Sequence, residues 1–185
     1  MISGKQVDSA QIFKNYRTDA LADANMTDAH KAYLSNMESV TFGNTNKVLN
    51  DLENAPISWA GKALDPESKV ALKFVFDPAN YEEDLSKLTL KVEYTDVHGA
   101  AKTLILENPS LYIPDRMLYA FTLDALLAAE LRAVVSVQIF VGQTPVSCTL
   151  QYSADTYGNN KTGNLPELCK ALFAYSDSAK NYFQP

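Results

Sequence analysis

The stretch that decides the fold is KLTLKVEYTDVHGAAKTLIL, residues 87–106. In its first half apolar and polar residues alternate, so that Leu88, Leu90 and Val92 point to one side of an extended chain. This period of two is typical of a β-strand that buries one face. The residues 96–99, which include a glycine, predict a turn into a second strand. We therefore expect an antiparallel hairpin here.

The same period recurs on both sides of this hairpin. The segments VALKFVF, MLYAFTL, AVVSVQIFV and VSCTLQYSA all show it, and GQTP between the last two predicts a further hairpin. Short strands separated by turn signals every ~8 to 12 residues are typical of a two-sheet sandwich. We therefore predict a mainly β chain, an immunoglobulin-like antiparallel β-sandwich of about seven strands.

Both ends of the chain have a helical period instead, which makes the content α+β. Up to about residue 52 the apolar residues are spaced as in short helices, with Thr27 and Asp28 as an N-cap. We predict two parts: residues 1–52, a helical arm and linker, and residues 53–185, the sandwich with an amphipathic closing helix. The apolar stripe predicted for that helix consists of Leu165, Leu168, Cys169, Leu172, Ala179 and Tyr182.

A short echo links the two ends. DSAQIFKNY at residues 8–16 resembles DSAKNYF at residues 177–183 in its first three residues and in the aromatic residues that follow. We interpret the first copy as the tail of a preceding module's closing helix. Coincidence between two polar helix faces is the alternative.

The net charge and the length of the apolar runs limit the classes of partner that this chain can bind. The net charge is -6 and the pI is about 4.9, whereas nucleic acids and anionic membranes attract basic surfaces. The apolar runs are shorter than the ~20 residues that cross a bilayer. We therefore expect no nucleic-acid partner and no membrane insertion. The first ten residues lack the pattern of a secretion signal, so the chain is either cytoplasmic or a piece of a longer exported protein.

No catalytic motif stands out. His30 and His98 have no second ligand at metal spacing, and nucleophile elbows, phosphate loops and dinucleotide fingerprints are missing from the sequence. The acidic residues Asp77, Glu82, Glu83 and Asp84 share one stretch, DPANYEED, which we interpret as a solvated loop. We expect no enzyme activity and no cofactor.

Two weak ligand sites remain. Asp155, Asn159 and Asn160 in DTYGNN, together with Asn164, offer oxygen atoms for calcium. The stretch lacks the alternating acidic spacing of a calcium loop, so we favour an Asn- and Gly-rich turn. Exposed aromatic rings could bind a glycan; the candidates are Trp59, Tyr112 and Tyr119, with core packing as the alternative.

We expect the two cysteines to point into the same interface, between the sheet and the closing helix. Cys148 shares a strand face with Val146 and Leu150, and Cys169 lies on the predicted stripe of the closing helix. A disulfide between them is possible in a secreted protein. We favour two free, buried thiols.

Several segments together resemble a known but uncharacterised module. They are GKALDPESKVALKFVFD, LSKLTLKVEYTDVHGAAKTL, LLAAELRAVVSVQIFVGQTPVSCTLQYSADTY and LPELCKALFAYSDSAKNYF. They are similar to a module of large secreted and surface proteins of anaerobic Gram-positive bacteria. In that module a sandwich is followed by a YSxxxY stretch, here Tyr152, Ser153 and Tyr157, and by a helix ending in YxxxAxxYF, here Tyr175, Ala179, Tyr182 and Phe183.

The resemblance implies a function class and a location. It implies an extracellular, surface-displayed chain, excised from a longer protein, with a noncatalytic structural or interaction role beside neighbouring modules. A glycan- or protein-binding sandwich acting in adhesion is the first alternative, and a hydrolase domain is the second. The residues that carry the resemblance are structural, and they bring no catalytic group with them.

Overall fold

The computed structural model describes residues 18–65, 70–159 and 165–183. Within them the chain is mainly β, with 37% of residues in strands and 28% in helices. The helices are α1 (Asp28–Ser39), α2 (Thr156–Asn159) and α3 (Leu165–Phe183), and residues 18–22 are also helical. The strands are β1 (Asn46–Val48), β2 (Ser58–Asp65), β3 (Ala71–Asp77), β4 (Leu88–Thr95), β5 (Ala101–Leu106), β6 (Ser110–Ile113), β7 (Leu118–Leu123), β8 (Val135–Val141), β9 (Thr144–Pro145) and β10 (Leu150–Tyr152).

Two antiparallel sheets form the predicted sandwich. One has the order β2-β3-β7-β6, and the other has the order β1-β10-β8-β4-β5 with β9 also paired to β8. In the immunoglobulin fold one sheet holds strands A, B, E and D and the other holds C, F and G, with C′ added in some domains. The strands β2, β3, β7 and β6 take the places of A, B, E and D, and β10, β8, β4 and β5 take those of G, F, C and C′. The immunoglobulin-like prediction is confirmed, with ten strands instead of about seven: β5 takes the place of C′, and β1 and β9 are short additions.

The decisive hairpin forms as its sequence predicts. Leu88, Leu90 and Val92 of β4 have no exposed surface. On the opposite face of the strand, Lys91 and Glu93 form an ion pair with an N–O distance of 2.8 Å. In the turn, Asp96 accepts hydrogen bonds from the backbone N–H of His98 and of Ala100. Gly99 has φ +81°, a conformation that side chains disfavour. The turn chemistry therefore fixes the register between β4 and β5.

The core lies between the two sheets. Phe74 and Phe121 come from one sheet, and Leu90 and Ile139 come from the other; each is at most 1% exposed. Phe76 stacks on Phe121, with ring centroids 5.5 Å apart. In β4 and β8 the alternation places a side chain in the core at every second position.

The last strand of the sandwich, which comprises β9 and β10, is interrupted at Ser147. Its hydroxyl accepts a hydrogen bond from the backbone N–H of Ile139, at 2.9 Å, where a strand would use a carbonyl. Beside the interruption, Ile57 forms a parallel bridge with Ser147, and its N–H donates to the Val146 carbonyl at 3.0 Å. The outer edge of β10 is paired with β1, whose Val48 lies opposite Leu150. The last strand is thus bonded both to β1 and to the start of β2.

The segment 18–52 shares the main core. Ala20, Leu34 and Val40 belong to the same buried cluster as the sandwich residues, and β1 is a strand of one sheet. The described residues on the two sides of the predicted boundary at residue 52 therefore pack into one common core. The helical pattern predicted for residues 8–52 is interrupted by β1, and the echo at residues 8–16 lies outside the described residues.

Helix α3 docks through a stripe that overlaps the predicted one only in part, at Cys169 and at the partly buried Leu165 and Leu172. Cys169, Phe173 and Ser176 are 0–2% exposed, whereas Leu168 is 52% exposed and Tyr182 is 82% exposed. Leu165 and Leu172 lie at the edge of the docked face and are partly buried against the core. The prediction of an amphipathic closing helix was right, and its assignment of Leu168 and Tyr182 to the buried face was wrong. Phe173, the most buried large side chain of the helix, had not been assigned to that face.

Candidate functional site

A polar cluster fastens α3 to the end of the sandwich. We call Arg132, Asp155 and Asp177 the Arg132 cluster. Arg132 stands three residues before β8, Asp155 follows β10, and Asp177 lies in the second half of α3. The backbone carbonyl of Arg132 accepts a hydrogen bond of 3.1 Å from Ser153, which holds the two loops together. The cluster therefore joins three separate segments of the chain.

Arg132 and Asp155 form its partly buried ion pair. The guanidinium Nε lies 2.9 Å from Oδ1 of Asp155, and Nη2 donates to Oδ2 at 3.2 Å. Oδ1 of Asp155 is buried and accepts no hydrogen bond from the described residues. Its contact with Nε is an ion pair only. Burial raises the pKa of Asp155, and the neighbouring arginine opposes that shift.

The remaining donors of Arg132 reach two more elements. Nη1 donates to Oδ2 of Asp177, and Nη2 also donates to the carbonyl of Thr41 at 2.9 Å. The guanidinium carbon lies 5.7 Å from the centre of the Phe173 ring, a cation–π distance. One arginine thus contacts a carboxylate and an aromatic ring of α3, and a carbonyl of the segment between α1 and β1.

Close packing at Gly43 completes the cluster. A Cβ at this position would come within 3.0 Å of Oδ2 of Asp155, so a side chain here would displace the carboxylate. Asn159 donates to the Gly43 carbonyl, which holds the same segment against α2. The segment 41–43 is therefore bound on both sides by polar contacts.

A groove of about 510 Å³ lies beside the Arg132 cluster. Its walls are the β4–β5 turn, the loop before β8 and one side of α3. Its charged lining residues are Asp96, Glu130, Arg132, Asp155, Asp177 and Lys180. Asp96 also pairs with Lys102 at 3.2 Å. The groove is therefore polar, and acidic groups outnumber basic ones.

Glu130 is buried at the floor of this region. It is 5% exposed, and its carboxylate accepts a hydrogen bond of 3.1 Å from the N–H of Leu127. This hydrogen bond closes the turn that starts at Leu127. The carboxylate also affects Tyr94: burial raises the pKa of Tyr94, and the negative charge of Glu130 raises it further.

The three aromatic candidates do not share a surface. Tyr119 stacks on the core residue Phe76 at 6.1 Å, and Trp59 is partly buried with its indole N–H donating to the Cys148 carbonyl at 2.7 Å. Tyr112 is 39% exposed, and the ammonium group of Lys73 lies over its ring. Lys73 stands between two core residues of β3, so its side chain, and Tyr112 with it, lies on the outer face of the sheet. Tyr112 and Tyr119 are thus on opposite faces of one sheet.

The calcium candidates are engaged elsewhere. Asp155 pairs with Arg132, and the amide nitrogen of Asn159 donates to Gly43. Asn160 and Asn164 lie outside the described residues. No group of three or more His, Cys, Asp or Glu residues suited to a metal ion occurs within the described ranges.

The other candidate side chains are not among the described residues that line the groove. Cys148 and Cys169 form no disulfide. Cys169 is buried, and the thiol of Cys148, which is only partly buried, donates to the Leu52 carbonyl at 3.3 Å. His98 is exposed in the β4–β5 turn. Of the four acidic residues predicted in a solvated loop, Glu82, Glu83 and Asp84 are exposed, and Asp77 is the partly buried last residue of β3. The side chain of His30 lies outside what the structure describes.

Sequence reasoning missed the Arg132 cluster. Its members are separated by more than twenty residues, so no spacing motif connects them. The one available signal was a lone arginine in ELRAVVSV, directly before a buried strand. An arginine at the start of a core strand requires carboxylate or carbonyl partners, but the sequence does not say which.

Comparison with protein-family models, with curated proteins and with solved structures finds no match for this chain. Among the described residues, no helix combines the length and the apolar character that a membrane crossing requires.

Proposed function

We propose that the chain is a noncatalytic structural and interaction module of a larger bacterial cell-surface protein. One observation carries the proposal: the charged groups that converge beside the main groove bond to one another and to the backbone. Arg132 uses its donors on Asp155, Asp177 and Thr41. In a hydrolase the corresponding groups would be directed at a substrate, as a pair of carboxylates across a cleft.

The extracellular location rests on the sequence resemblance. The immunoglobulin-like arrangement of strands fits it, since this architecture is common in cell-surface domains. The partners proposed are neighbouring modules of the same polypeptide and surface proteins. The net charge of -6 supports a partner other than nucleic acid.

Enzyme assays with a groove variant test the noncatalytic role. We expect the purified chain to hydrolyse no chromogenic ester, glycoside or phosphate faster than its Asp155→Asn variant does. Turnover by the wild type that is lost in Asp155→Asn would show a hydrolase and end the proposal.

Antibody labelling of the source cells tests the location. Antibodies raised against the chain should bind intact cells. Labelling that appears only after the cells are permeabilised would rule out a surface role.

Glycan binding remains the second candidate because Tyr112 is exposed on an outer sheet face, with Lys73 Nζ 5.2 Å from its ring centre. An aromatic ring beside a polar side chain is a common feature of ligand surfaces. A glycan array with wild type and Tyr112→Ala separates the two proposals. Binding that depends on Tyr112 would favour adhesion through this face.

A further inference from the structure

Helix α3 has a second apolar face, directed away from the sandwich. Its docked face is formed by Cys169, Phe173 and Ser176, which are nearly fully buried. On the other side, Leu168 is 52% exposed and Tyr175 is 54% exposed. We call this second face the outer seam; its residues are Leu165, Leu168, Leu172, Tyr175, Ala179 and Tyr182.

The outer seam has the spacing of a coiled coil. Its members are separated alternately by three and four residues along the whole of α3. This heptad pattern keeps one stripe facing a partner helix, with side chains fitting between those of the partner. The docked face follows Cys169, Phe173 and Ser176, and the outer seam meets it only at Leu165 and Leu172, which touch the core at the edge of that face. The helix therefore carries a helix-pairing pattern that its contact with the sandwich does not explain.

An apolar groove continues the outer seam onto the sandwich. It has a volume of about 270 Å³ and lies between α3 and the loop after β7. Leu127, on its rim, is 55% exposed. The apolar residues that line it are Val70, Leu126, Leu127, Ala128, Leu131, Leu172 and Tyr175. The surface is thus a ridge beside a depression, a shape into which the ridge of another copy can fit.

Charge indicates what kind of partner fits. The outer seam contains no charged residue, and Asp124 is the one charged residue among the described residues that line its groove. The charged residues of α3 lie at other positions, where Lys170 pairs with Glu167 and Asp177 pairs with Arg132. Two identical neutral seams can meet around a two-fold axis without placing like charges opposite each other. A strongly charged protein or an anionic lipid surface would find no complementary charge on it.

We propose that the outer seam and its groove join two copies of this chain, with their α3 helices antiparallel around a two-fold axis. The proposal names the partner for the interaction role proposed above. The exposed parts of Leu127, Leu168, Tyr175 and Tyr182 come to about 400–500 Å² per copy, taking ~200 Å² for a large apolar side chain. A stable dimer buries about 800 Å² per partner, so the association is weak and becomes significant where copies are crowded.

Sedimentation measurements over a range of concentrations test this association. The chain has a mass of 20.4 kDa. We expect its average mass to rise towards twice that value between about 1 µM and 1 mM. Leu127→Asp and Leu168→Glu should each remain monomeric throughout. Ile105→Asp is the matched control, because Ile105 is also 55% exposed but lies on β5, and this variant should associate like the wild type.

Other outcomes overturn the proposal. A wild type that stays monomeric, or association that persists in both seam variants or disappears in the Ile105 control, would contradict it. If association appeared only after residues 1–17 were deleted, the chain's own N-terminal segment would be the occupant. Circular dichroism confirms that each variant is folded. Enzymatic turnover would end the proposed function without affecting these masses, so the two failures are distinguishable.

Discussion

Between the two sheets the contacts are made by side chains such as Phe74, Leu90 and Ile139. At one end of the sandwich, beside the apolar face on which α3 docks, Arg132 instead makes polar contacts with two carboxylates, one of them on α3. The first contact is non-directional and depends on the apolar area that is buried. The second depends on a few atoms at hydrogen-bond distance, in a place where an unpaired charge is costly. The two regions should therefore respond differently to substitution, and the four predictions that follow use this difference.

The largest effect is expected in the core. Phe74 is fully buried and packs against Tyr152, with ring centroids 6.2 Å apart. Phe74→Ala should lower the free energy of unfolding by about 3–5 kcal/mol, because it removes a large side chain and leaves a cavity. Urea denaturation measures this loss. A loss below that of any Arg132 variant would mean that the cluster, and not the core, dominates stability.

An intermediate effect is expected at the Arg132 cluster. Arg132→Leu leaves Asp155 buried without its cation, and we expect a loss of about 2 kcal/mol because the site is partly open to solvent. The double variant Arg132→Leu with Asp155→Leu should recover part of that loss, since no unpaired charge remains. A double variant that is less stable than either single one would show that packing, and not charge, is decisive here.

Core and cluster also differ in how far they could be predicted. Alternation in β4 and β8 identifies inward residues from neighbouring positions alone, so the sandwich and most of its core followed from the sequence. Contacts between Thr41, Arg132 and Asp177 depend on how loops and α3 meet in three dimensions, which no local pattern contains. For α3 the period was visible, but two apolar stripes overlap on it. The prediction merged them, because hydrophobicity does not say which stripe faces the sandwich.

A smaller effect should separate those two stripes. Leu172 is partly buried against the core, and Leu172→Ala should lower the free energy of unfolding by about 1–2 kcal/mol. Leu168→Ala should change it by less than about 0.5 kcal/mol, because Leu168 is half exposed. Thermal melts of dilute samples keep any association from adding to the difference. Equal losses would contradict the orientation of α3.

The subtlest comparison concerns two carboxylates that line the same groove. Backbone hydrogen bonding from Ala100 lowers the pKa of Asp96, so the stability it contributes is present above about pH 4 and is lost as the pH falls through its lowered folded pKa. Burial raises the pKa of Asp155, so its ionised form is unfavourable in the fold, and this penalty is relieved as the pH falls through its raised folded pKa.

Melting temperatures between about pH 3 and 7 should show these opposite signs. Asp96→Asn should flatten the decrease in stability towards acid, whereas Asp155→Asn should steepen it. If both variants changed the slope in the same direction, the assignment of one of the two pKa shifts would be wrong.

The interrupted last strand has a mechanical consequence. The N-terminal end of β1 lies beside the C-terminal end of β10, so tension applied through the chain before β1 and after β10 would unzip this pair one hydrogen bond at a time. The bridge between Ile57 and Ser147 is parallel, and the same tension would load it in shear, straining its contacts together. The change of partner at Ser147 therefore divides the strand into a part that yields gradually and a part that resists.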